Sequence, residues 1–202
     1  MASRRDRVDQ RLRLSAATWS VLAERGLPGL TLRAVAERAG CTTGMVLHTF
    51  ADKQALLVHA RELLHQRTGQ RADAAQADAD TPGMALRAVL LQAAAPTVER
   101  QEEARVWVGF LAAALADPVL AELHRSYNRR FVDRVRGLVA AVRPDWPAAD
   151  CSSTATGLVA LVEGLNTLTA IDPATYSRAA QRVALDAALA RLGPAAADHP
   201  SG

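Results

Sequence analysis

In this 202-residue chain, the side chains whose types and spacing suggest chemistry lie between residues 31 and 53. Thr42, Thr43 and Gly44 set two hydroxyls beside a bare backbone position, and Met45, Leu47 and His48 follow directly. Thr31 stands eleven residues before Thr42, and Lys53, the chain's one lysine, stands eleven after it. Hydroxyls and a cation hold phosphate, whereas small polar groups next to an apolar and an imidazole side chain can reach base edges. The set fits a nucleic-acid surface, with Arg4 and Arg5 as further phosphate contacts on an N-terminal arm that continues to Arg7.

The charge is distributed accordingly. The chain carries a formal +3, but residues 1–60 alone carry +4 and the remainder −1. A basic first module on a neutral body points to a polyanion partner for the first part only. A charge of +4 by itself also fits a solvated face, so the motif decides. An architectural DNA binder would spread its basic residues over the whole chain. The sequence has no phosphate-binding glycine loop, no GxGxxG or GxSxG, no HExxH and no paired carboxylates on one helical face. No enzyme activity, cofactor or metal site is expected. Cys41 and Cys151 do not form a CxxC pair, which fits a reducing cytoplasm. The charged start lacks the apolar stretch of a secretory signal, and the longest apolar run, Val108–Ala116, falls far short of the ~20 residues that span a bilayer. A cytoplasmic protein without membrane association is expected.

The elements that must position these residues read as helices throughout. Val8, Leu12, Ala16, Trp19, Leu22 and Ala23 recur at helical spacing, and Gly26 with Pro28-Gly29 ends that helix. Thr31 is a candidate N-cap for a short second helix that Gly40 stops; Thr42 caps a third, and Asp52 caps a long fourth reaching about Thr68. Residues 69–83, polar and alanine-rich, read as a mobile loop. Helices then follow at about 84–95, 97–116, 118–142, 150–170 and 174–192, with Asp117-Pro118 and Asp172-Pro173 as cap-plus-first-residue pairs. The expected fold is all-α with about nine helices. Residues 1–52 form a three-helix helix-turn-helix domain, 53–192 a helical body that binds an effector and dimerises, and 193–202 a disordered tail.

The run from Leu30 to Leu57, LTLRAVAERAGCTTGMVLHTFADKQALL, resembles the DNA-binding domain of the TetR family of bacterial regulators. Thr31, Val35, Ala36, Ala39, Gly40, Thr42, Gly44, Phe50, Lys53, Leu56 and Leu57 match the family pattern without a gap. Leu47 and His48 depart from it, standing where the family often has two aromatics. More weakly, the segments from Trp107 to Arg130 and from Leu161 to Asn166 are similar to the branch that holds the repressor of betaine-synthesis genes. The resemblance implies a homodimeric repressor on a pseudo-palindromic DNA operator, its recognition helices about 34–36 Å apart or slightly more, released by a small-molecule effector.

For the body, the apolar stripes of the last two helices supply dimer candidates: Ala155, Leu158, Val159 and Val162, then Val183 and Ala187. The same stripes could face only the chain's own core; Gly157, Ala160 and Gly164, which permit close helix approach, favour the dimer. Trp107, Phe110, Leu111, Tyr127, Phe131, Glu163 and Asn166 are the candidate effector pocket, since aromatic walls with few polar anchors suit a small molecule and a carboxylate among aromatics suits a cation. An apolar effector is the other possibility. Trp107, Phe110 and Phe131 could equally be core, and Glu163 could equally bridge to an arginine within 125–136.

Overall fold

The computed structural model describes residues 4–94 and 98–193, with the side chains of 4–7 and 98–102 outside the description. Among the described residues every regular element is a helix: α1 Arg4–Gly29, α2 Leu32–Ala39, α3 Thr43–Thr49, α4 Lys53–Ala77, α5 Pro82–Ala93, α6 Val98–Ala114, α7 Pro118–Val142, α8 Ala148–Ile171 and α9 Arg178–Ala190. The side chains of Arg4, Arg5 and Arg7 and the tail beyond Gly193 lie outside the described residues.

The chain divides into two compact units. One comprises residues up to Gln66 with Arg105–Leu123; the other comprises Arg67–Ala104 and everything from His124 onward. This differs from a boundary at 52/53. Leu56 and Leu64 of α4, Val106 and Phe110 of α6 and Leu120 of α7 are all buried in one core with Leu22, Val35, Val46 and Phe50, so the helix-turn-helix completes its core with later segments. The second unit is built around Leu86, Val89 and Leu90 of α5, Val135 and Val139 of α7, Leu158, Val159 and Val162 of α8, and Leu185 and Leu189 of α9. The Arg87 guanidinium locks α5 to α9 by donating twice to Asp186, at 2.7 and 3.0 Å.

Three local readings are corrected. First, α1 buries Leu14, Ala17, Val21 and Leu22, while Val8 and Leu12 are 52% and 63% exposed. Two overlapping stripes share this helix, and spacing alone does not say which one faces inward. Second, α4 continues through the expected loop to Ala77. Alanine, glutamine and arginine are strong helix formers, Ala72 is buried, and Arg71 and Arg134 pair with Glu103 and Asp73. Only residues 78–81 separate α4 from α5, with Thr81 accepting from the Met84 amide at 3.2 Å and Pro82 opening the next helix. Third, Asp172-Pro173 starts no helix. Asp172 ends α8, and Ser177 caps α9. The intervening turn is held at the Tyr176 carbonyl, which accepts from Thr169 Oγ1 (3.1 Å) and Gln181 Nε2 (3.0 Å).

By length and composition α8 could cross a membrane, yet eight of its residues, from Cys151 to Thr169, are buried in the second unit.

The α2–α3 turn depends on backbone conformation. Gly40 has φ 63° and ψ 40°; its amide donates to the Glu37 carbonyl at 3.2 Å, and the Cys41 amide donates to Ala36 at 3.0 Å. These two bonds close a helix in the paired C-terminal pattern that a left-handed residue permits. A Cβ at Gly40 would meet nothing within 4 Å, so a substitution there tests conformation alone. Gly40→Ala is expected to lower unfolding free energy by about 1–2 kcal/mol in urea titration. The open helical site Gly137 should respond oppositely, Gly137→Ala raising it by about 0.5–1 kcal/mol.

Candidate nucleic-acid interface

Two N-caps build this surface. Thr31 Oγ1 accepts from the Ala34 amide at 3.1 Å and starts α2; Thr42 Oγ1 accepts from the Met45 amide at 3.3 Å and starts α3. Each hydroxyl keeps its own proton to donate elsewhere. Within α3, Val46 is wholly buried and Phe50, the residue that closes it, nearly so. The remaining surface turns outward: Thr42, Thr43, Gly44, Met45, Leu47 and His48 are all exposed. Asp52 Oδ1 accepts from the Ala55 amide at 2.7 Å, which sets exposed Lys53 at the first position of α4. Thus Thr31, the α3 residues and Lys53 all sit on one helix-turn-helix-turn segment, and all are solvent-facing.

Sequence reasoning missed two features here. Arg38 of α2 pairs with Glu24 and Ser20 of α1, bracing the two helices. The Arg38 guanidinium lowers the Glu24 carboxyl below its usual range. Arg33, in the first turn of α2, is exposed and is a further candidate phosphate contact. Its place two residues after the Thr31 cap was the available signal.

Behind this surface His59 is almost fully buried. Its Nε2 lies 3.0 Å from Ser15 Oγ, its ring 4.8 Å from that of Phe50, and Nδ1 4.0 Å from Glu62. An open cleft of about 450 Å³ runs past it, lined in part by Arg11, Phe50, Asp52, Gln54 and Glu62. None of the seven expected effector residues lines this cleft.

Those seven divide between the units. Phe110 is in the first unit's core, with Trp107 packed against it and Arg61 Cζ 4.4 Å from the Trp107 ring centre; Leu111 is half-buried in the same unit. Tyr127, Phe131, Glu163 and Asn166 belong to the second. Asn166 is buried; its Nδ2 donates to the Ala93 carbonyl at 2.9 Å, while its Oδ1 is buried without a partner.

The dimer candidates also divide. Ala155, Leu158, Val159 and Val162 are at most 4% exposed within this chain's own core, because they form the inward stripe of α8. They have nothing left to offer a second copy. The outward stripe holds Gly157, Ala160, Leu168 and Ile171, and on α9 Val183 and Ala187 are exposed.

Burial, reinforced by Arg11, lowers the His59 pKa. The folded state therefore favours neutral imidazole, while the unfolded chain takes up its proton near about 6.5. Stability is complete above that pH and is lost as pH falls through the lower folded value. The melting temperature is expected to drop between pH 7.5 and 5.5, and His59→Gln should flatten that component in a pH series of thermal melts.

Comparison with known proteins agrees with this geometry. Residues 14–67 match the family described as bacterial regulatory proteins, tetR family, and residues 82–194 match the BetI-type transcriptional repressor, C-terminal. The HTH-type transcriptional regulator BetI of Burkholderia mallei (strain NCTC 10229) is 35% identical over 161 residues, covering 77% of this chain and 79% of that one. Its counterpart from Burkholderia cenocepacia (strain HI2424) is 35% identical over 160 residues, with the same coverage of each chain. A transcriptional regulator from Rhodococcus sp. Rha1 superposes with a TM-score of 0.77 at 31% identity, over 94% of this chain and 98% of that one. A regulator from Saccharomonospora viridis, solved in complex with choline, has the same fold: TM-score 0.77 at 19% identity, covering 89% and 95%.

Proposed function

Because the chain belongs to the TetR family of bacterial transcriptional repressors, with a C-terminal region of the BetI type, we propose that it acts in the cytoplasm as a homodimer on a pseudo-palindromic operator. A small cation binding the second unit releases it. The observation that carries the DNA assignment is the exposed segment from Thr31 through α3 to Lys53, backed by buried Val46 and Phe50. Thr31, Arg33, Lys53 and the arm residues Arg4 and Arg5 hold phosphate; Thr42, Thr43, Gly44, Met45, Leu47 and His48 face the bases.

Support for the homodimer comes from the outward stripes of α8 and α9. Ile171 and Val183 are 77% and 68% exposed, and a Cβ at Gly157 or Gly164 would meet nothing within 4 Å of its own chain. An apolar stripe with bare positions suits close packing against a second copy.

For the effector, Tyr127 and Phe131 on α7 with Glu163 and Asn166 on α8 are the residues we assign. The half-buried Glu163 carboxylate on α8, the unsatisfied Asn166 Oδ1 and the choline held by the Saccharomonospora regulator all support a small cation. Release requires only that the cation bind the DNA-incompetent state more tightly than the competent one.

Lys53→Ala is expected to weaken specific and random DNA alike and to reduce the salt slope of binding by about 1, read by fluorescence anisotropy at several ionic strengths. His48→Ala should instead redistribute sequence preference. Unchanged operator affinity in both variants would remove this face from the interface. Choline titrated into the operator complex should release DNA, with Glu163→Gln requiring about tenfold more. Equal release in both proteins would rule out Glu163 as the anchor.

A further inference from the structure

Nothing in the fold asks for a glycine at position 44. Gly44 is the second residue of α3 and its backbone is not left-handed; the positive-φ glycines among the described residues are Gly26, Gly40 and Gly193. A Cβ built on Gly44 would meet no protein atom nearer than Thr42 Oγ1 at 3.9 Å, an ordinary contact. Glycine weakens a helix relative to alanine, and α3 has only seven residues with which to absorb the loss.

The position of this bare site is specific. At about 100° per residue, the face of α3 opposite buried Val46 and Phe50 has Gly44 and His48 at its middle, one turn apart. Met45 and Leu47, 40% and 44% exposed, flank them on either side. A residue that the fold would replace with profit thus stands at the centre of the surface that meets DNA.

We propose that Gly44 is bare because the duplex comes there: the α3 backbone at Gly44 makes van der Waals contact with the operator, and any side chain holds the helix off the groove floor. This rests on the reading that α3 enters the major groove. Close seating at Gly44 is what brings the flanking Met45 and Leu47 side chains within reach of bases on either side. Affinity at this position is then set by steric fit, and it opposes helix stability.

The test uses the full-length protein and a duplex that the wild type has enriched from random DNA. Gly44→Ala and Gly44→Leu are compared with Gly137→Ala, a substitution at an exposed helical glycine of α7 that likewise has nothing within 4 Å. Thermal melts and binding titrations are read on each. The expected result is an unchanged or higher melting temperature in all three variants. Operator affinity should fall about tenfold or more in Gly44→Ala, further in Gly44→Leu, and not at all in Gly137→Ala. Affinity within about twofold of wild type in both Gly44 variants would overturn the proposal. So would a lowered melting temperature in Gly44→Ala, since the glycine would then be serving the fold. If the wild type enriches no duplex, the operator reading itself fails and this inference falls with it; loss confined to Gly44 variants of a binding-competent protein isolates the present claim.

Discussion

A helix of seven residues does not hold together in water on its own, because nucleation costs more than so few hydrogen bonds return. Helix α3 is of that length, so the presentation of its outer face depends on what pins its inner one. Val46 and Phe50 do this from one side of the helix, packed in a core with Leu22, Val35 and Leu56. The Thr42 cap and the left-handed turn at Gly40 fix where α3 starts. The rest of the first unit is the wall that makes this possible, and it draws on α6 and α7 because α1 with two short helices encloses too little apolar surface by itself.

The second unit solves a different problem with the same material. Its α8 carries two apolar stripes among its polar residues. One stripe fills the chain's own core. The other, with exposed Ile171 at its end and Gly157 and Gly164 along it, is the stripe proposed above to pack against a second copy. Polar atoms inside this unit pair at the Tyr176 carbonyl, whereas Asn166 Oδ1, Gln181 Oε1, Gln92 Nε2 and Arg71 Nε are buried without a hydrogen-bond partner.

Legibility in the sequence followed the locality of the physics. The caps at Thr31, Thr42, Asp52 and Asp117 and the stop at Gly40 are written in two or three residues each, and they stand where the sequence puts them. Residues 69–77 read as a loop because their helix is stabilised by alanine propensity and by ion pairs to distant residues, leaving no apolar rhythm to read. Which of two apolar stripes faces inward, on α1 and again on α8, is decided by neighbours far away in sequence. For the same reason Trp107 and Phe110, chemically suited to a pocket, prove to be packed in the first unit's core.

Selection of bound duplexes from a random DNA pool, at physiological salt and with the purified full-length protein, tests the central claim most directly. The account predicts enrichment of a pseudo-palindrome whose half-site centres lie about 10–10.5 base pairs apart or a multiple of that. No enrichment, or enrichment of a lone half-site without symmetry, would contradict a homodimeric operator reader.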